Sequence, residues 1–110
     1  MRLLETGTLW ANPDPLLVSR QAVFPGLTRR SDGTIVALFS IGQAFDAADM
    51  RAYVALSADD GRSWTVPHRL HAAECDPPES ESFKPLALAD GSLLATGYTF
   101  VRPGPLVPIV

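Results

Sequence analysis

The chain contains one cysteine, Cys75, which excludes an intramolecular disulfide and any multi-cysteine metal site. A free thiol is more usual in a reducing compartment. Lysine is almost absent: eight of the nine cations are arginine and the other is Lys84. Against twelve acidic residues these leave a net charge of −3, so no broad basic surface exists and no nucleic-acid partner is expected. No apolar run approaches the length of a membrane helix, so no membrane partner is expected either. The segment Met1-Arg2-Leu3-Leu4-Glu5-Thr6-Gly7 lacks the apolar core of a signal peptide, which makes the cytoplasm the default location. Unbroken helical stretches are missing as well, because ten prolines punctuate the chain. What remains is 110 residues with 46% hydrophobic and 19% charged content, enough for one small globular domain.

The chain is rich in turn chemistry. Ser57-Ala58-Asp59-Asp60-Gly61-Arg62-Ser63-Trp64 reads Ser-x-Asp-x-Gly-x-Ser-Trp. Asp60-Gly61 is a favoured hairpin centre, since glycine takes positive φ freely and aspartate tolerates it. Ser57 and Asp59 supply short oxygen-bearing side chains that accept hydrogen bonds from the turn's own N–H groups. Trp64 offers a large apolar plate and is expected to be largely buried against a sheet. Strand-compatible residues flank the octet on both sides, so it predicts a hairpin in which Asp59 and Asp60 shape the turn.

An imperfect repeat surrounds it. Phe24-Pro25-Gly26-Leu27 through Ala37 answers to Phe83-Lys84-Pro85-Leu86 through Ala95, with a one-residue gap near the prolines. The pairs Asp32-Gly33 and Asp90-Gly91 lie 58 residues apart. Each copy predicts a strand, an Asp-Gly turn and a second strand. Strands are placed near 22–30, 34–40, 51–57 and 64–70, then near 83–89 and 93–100; residues 43–52 read as loop.

The octet resembles the Asp-box, or BNR repeat, of the sialidase (neuraminidase) superfamily of β-propellers, with Ser57, Asp59, Gly61, Ser63 and Trp64 at the defining positions. The resemblance implies an all-β fold, namely a fragment of a sialidase-like six-bladed β-propeller with about two blades of four-stranded antiparallel sheet. Residues 22–70 make one blade, 83–100 begin the next, and 1–21 contribute an outer strand to another, from Leu3 to Trp10. It also implies that the Asp-box is a structural turn far from the ligand. If 110 residues is the natural length, copies are expected to associate, because two blades leave sheet faces and edges open.

Successive connections of a meander alternate between the ends of the sheet. The Asp32-Gly33 turn and the Asp-box therefore share one end, and the acidic loops 41–50 and 71–82 share the other, where a site is expected. The family resemblance places an acid/base aspartate in the first of these loops, which assigns Asp46 as the catalytic candidate and Asp49 as its alternate. Arg20, Gln43, Glu81 and Lys84 are the candidates for substrate contact. The family's sialate-binding arginine opens the first strand in an Arg-Ile-Pro motif. Here the matching stretch is Val23-Phe24-Pro25, and valine makes no bidentate contact with a carboxylate. In a straight strand Arg20 points away from Val23. His68 and His71 have no third ligand at a fitting spacing, so no metal or other cofactor is expected. Tyr53 and Tyr98 read as packing residues.

Two functions follow. One is a sialidase-like glycoside hydrolase of altered specificity with Asp46 as acid/base, its nucleophile lying outside this sequence. The alternative is a non-catalytic propeller module that binds a glycan or a protein. Carbohydrate is the expected ligand class of the first reading.

Overall fold

The computed structural model describes residues 2–13, 20–45, 47–72 and 77–102. The chain is all-β, with six strands in two antiparallel sheets and no helix among the described residues. Accordingly, no described helix is long and apolar enough to cross a membrane. The first sheet is a meander of β1 (Gln21–Arg29), β2 (Ile35–Gly42), β3 (Arg51–Ser57) and β4 (His68–Arg69), in that spatial order. The second is the hairpin of β5 (Glu79–Ala87) and β6 (Leu93–Val101).

β2 is central because Ile35-Val36-Ala37-Leu38-Phe39-Ser40-Ile41-Gly42 has no charge and can be covered on both faces. Its odd-numbered residues Ala37, Phe39 and Ile41 form a buried cluster with Ala55, and Leu9, Trp10, Tyr53 and Trp64 pack against it. By strand alternation Val36, Leu38 and Ser40 face the other way, where β5 lies across β1, β2 and β3. The N-terminal segment crosses the first face as irregular chain: no strand occurs within residues 2–13, unlike the expected outer strand.

The internal repeat is real in three dimensions. Arg30 N–H donates to Thr34 O at 2.9 Å, and Gly33 N–H to Arg30 O at 3.0 Å; Leu88 to Ser92 (2.9 Å) and Gly91 to Leu88 (3.1 Å) reproduce both bonds 58 residues on. Gly33 and Gly91 adopt φ of 90° and 88°, a left-handed conformation that favours glycine. Asp32 and Asp90 each accept the N–H two residues ahead at 2.9 Å. The one-residue gap in the repeat is a β-bulge. The β1–β2 register slips between Val23 and Gly26, whereas β5–β6 pairs without a break from Glu79↔Val101 to Ala87↔Leu93.

Two expected strands differ in extent. β4 spans only His68–Arg69 instead of 64–70. Extending its register by one sets Pro67 opposite Ala55, and proline has no N–H to give the ladder. Thr65 sustains the pairing beyond the gap, with its N–H on Leu56 O and its Oγ1 accepting Leu56 N–H, both at 2.9 Å. β5 starts at Glu79, inside the stretch expected to be loop. Glu79-Ser80-Glu81-Ser82 looks like loop chemistry, but Ser80, Glu81 and Ser82 are buried, with Glu81 bonded by the first sheet and Ser80 by Arg102.

Candidate binding cleft

The two tight turns occupy one end of the first sheet. Arg29 Nη1 ties them together, donating to Gly33 O at 3.0 Å and to Asp60 Oδ1 at 2.8 Å. Within the octet, Ser57 Oγ donates to Asp59 Oδ1 and accepts Gly61 N–H, both at 2.8 Å. Asp59 accepts the Ser63 N–H (2.8 Å) and the Ser63 hydroxyl (2.5 Å). Asp60 and Gly61 have φ of 59° and 83°, the left-handed pair this turn requires. Trp64 donates Nε1–H to Gly61 O at 3.1 Å and packs against the core cluster, but it is half-buried where full burial was expected. Binding its own turn leaves one side of the ring at the surface. Every side chain of the motif is therefore engaged in the turn.

Those bonds set an acid limit. Hydrogen bonds from the Ser63 hydroxyl, the Ser63 N–H and the Ser57 hydroxyl lower the Asp59 carboxyl from 3.8 to about 2. Asp32 is lowered chiefly by the Thr34 N–H, and Asp90 by the Ser92 hydroxyl and N–H. A carboxyl depressed in the folded state adds stability above its unfolded value, and that contribution is lost as pH falls through the folded value. The urea midpoint is thus expected to drop between pH 3.8 and about pH 2, less steeply in Asp59→Asn. Equal slopes in the two proteins would contradict the assignment.

The opposite end holds the loops. Asp46 lies outside the described residues. Asp49 Oδ1 accepts Gln43 N–H at 3.0 Å and so closes the β2–β3 loop on itself. Glu81 is not on a loop rim at all. Its side chain is only 4% exposed; Oε2 accepts Ala52 N–H at 2.7 Å, and Oε1 faces His71 Nε2 at 2.9 Å and Arg69 Nη2 at 3.7 Å. Its backbone adds two more links, Glu81 N–H to Met50 O (3.2 Å) and Ser40 Oγ to Glu81 O (2.8 Å). The cavity beside it measures about 10 Å³, no more than one water needs. Glu81 therefore joins the two sheets.

Lys84 is also structural. Nζ donates to Phe24 O at 2.7 Å and Pro25 O at 2.9 Å, gripping the β1 bulge where Phe24 has the strained φ of 56°. Lys84→Met is expected to cost about 1 kcal/mol of stability by chemical denaturation. It is expected to leave the affinity of the cleft described next unchanged. A lysine that contacts ligand would show the reverse.

A concavity of about 410 Å³ is lined by Trp10, Asn12, Arg20, Ile41, Tyr53 and Val66 among others. A second, about 320 Å³, lies beside it and includes Trp10, Ala22, Val23 and Phe39. Trp10 borders both. Arg20 and Val23 thus serve adjoining hollows instead of opposite faces. Arg20 precedes β1 and is not bound by strand alternation. Two aromatic rings, an amide and a guanidinium around an open hollow can stack on an apolar ring face while bonding polar substituents. Of the six positions considered for ligand contact, the cleft includes Arg20, while Asp49, Glu81 and Lys84 are engaged elsewhere. Trp10, Asn12 and Tyr53 were not anticipated, because only tertiary folding carries the N-terminal segment over β2 and β3. Tyr53 does pack on the core, whereas Tyr98 is 53% exposed and meets Phe100 at 5.1 Å. Among the described residues, no three His, Cys, Asp or Glu side chains are grouped to hold a metal ion.

Comparison with family models, with characterised proteins and with solved structures gives no match to this chain.

Proposed function

We propose that the chain is a sialidase-like β-propeller segment that binds carbohydrate without hydrolysing it. The observation that carries the scaffold reading is the complete hydrogen-bond set of the Ser57–Trp64 turn, joined to a hairpin repeat at an offset of 58 residues. A turn, a repeat period and a four-stranded antiparallel meander are what stacked blades require. Binding in preference to hydrolysis is supported by the use of Asp49, the alternate acid/base candidate, in a structural bond. The cleft beneath Trp10 supplies the aromatic and polar lining for a sugar ring. Hydrolysis is the second reading, and it rests on Asp46 in the β2–β3 loop.

Valine stands in the adjoining hollow at position 23, where the resemblance places the sialate-binding arginine, so neutral glycans are the favoured ligands over sialosides. Calorimetric titration with a panel of neutral and sialylated oligosaccharides tests this. Arg20→Ala and Tyr53→Phe are expected to weaken binding about tenfold or less, because each removes polar contacts and preserves the core. Unaltered affinity in both variants would remove the cleft from the proposal.

A further inference from the structure

The junction between the two sheets fixes an imidazole as well as a carboxylate. Leu70 N–H bonds Ala52 O at 2.9 Å, and Ala52 N–H in turn bonds Glu81 Oε2 at 2.7 Å. That ladder sets the next residue, His71, beside the other carboxylate oxygen, with Nε2 2.9 Å from Oε1. Arg69 Nη2 approaches the same oxygen at 3.7 Å. All three groups that meet the carboxylate can donate to it, so Nε2 carries the ring proton and Nδ1 keeps its lone pair. Glu81 is 4% exposed, whereas the His71 side chain is 42% exposed, and among the described residues nothing bonds Nδ1. A buried carboxylate behind one ring nitrogen and an open second nitrogen are what a reactive imidazole requires.

We propose that His71 Nδ1 is a nucleophile toward small activated acyl compounds, with Glu81 as its positioning residue. Nδ1 forms a bond to the acyl carbon, and the alkoxide or phenolate leaves with the electron pair of the broken C–O bond. The ring then carries positive charge at Nε2–H, which the adjacent carboxylate offsets. Water adds its hydroxyl to the acyl carbon and its proton to the leaving group. The C–N bond breaks, releasing the acid and restoring the imidazole, so ester plus water gives acid plus alcohol. The cavity beside Glu81, about 10 Å³, admits no acyl chain, so the substrates are small and approach from solvent. The inference rests on this junction and stands whether or not the propeller and carbohydrate readings do.

His68 supplies the comparison, because it is the other of the two histidines and is also exposed, with no carboxylate partner among the described residues. The intact protein is treated with diethyl pyrocarbonate, and adducts at both histidines are followed over time by peptide mass spectrometry. His71 is expected to react about tenfold faster than His68, and the two to react alike in concentrated urea. In Glu81→Gln, which keeps an acceptor for Ala52, the ratio is expected to fall toward one while the circular dichroism spectrum stays native. Steady release of p-nitrophenolate from p-nitrophenyl acetate is expected to be lost in His71→Gln and kept in His68→Gln. Equal native rates at the two histidines, an unchanged ratio in Glu81→Gln, or ester hydrolysis indifferent to His71→Gln would each overturn the proposal.

Discussion

Glu81→Ala is expected to lower unfolding free energy by about 3 kcal/mol, a large share of what a domain of this size holds. The carboxylate is 4% exposed and takes the Ala52 N–H that the truncated β4 leaves unmatched; Leu70 donates to Ala52 O but its partner bond is made by Glu81. Removing it strands a buried donor and leaves Arg69 facing the gap without its counter-charge. Glu81→Gln keeps an acceptor for Ala52 and is expected to lose about half as much. Urea denaturation of the three proteins separates the hydrogen bond from the charge. A loss below about 1 kcal/mol in Glu81→Ala would show that the sheets hold together without this junction.

Gly97→Val is the second large effect, also expected near 3 kcal/mol and concentrated in the β5–β6 hairpin. A Cβ at Gly97 would overlap the Ser82 carbonyl oxygen and stand 2.8 Å from Phe83 Cα. Both obstacles are close to rigid backbone, so rotamer changes do not relieve them. The equivalent position of the first hairpin holds Phe39, a bulky residue in the core cluster. It is accommodated there because the bulge between Val23 and Gly26 lies opposite and opens the pairing. Exchange measurements should show β5 and β6 amides losing protection while β2 and β3 keep theirs. Uniform loss across both sheets would mean that the two unfold as one unit.

Much of the fold was legible in the sequence because it is encoded locally. Asp-Gly pairs between apolar runs located three of the turns, and Ser57 to Trp64 carried its whole hydrogen-bond set within eight residues. The edges of β4 and β5 were not legible for opposite reasons. Pro67 cuts a ladder that the apolar pattern of 64–70 suggests, and Glu79–Ser82 becomes strand because it pairs with the end of β6 while Ser40, Ala52 and Arg102 bond Ser80 and Glu81. The site was less legible still. Glu81 and Lys84 were read as candidates for substrate contact, whereas they also bond Ala52 and Phe24, 29 and 60 residues away in sequence, which no local pattern reveals. The cleft depends on Trp10 crossing Ile41 and Tyr53, a contact between segments with no shared motif. Asp46 lies outside the described residues, so the hydrolytic reading remains tied to its place in the loop.

Binding and turnover must be measured together to test the central claim. The protein and its Asp46→Ala variant are each incubated with a fluorogenic sialoside and a fluorogenic neutral glycoside, and titrated in parallel with the corresponding oligosaccharides. The account predicts saturable binding of a neutral glycan, equal in both proteins, and no release of fluorophore from either substrate. Sialoside hydrolysis by the unmodified protein that disappears in Asp46→Ala would contradict it and make the chain an enzyme.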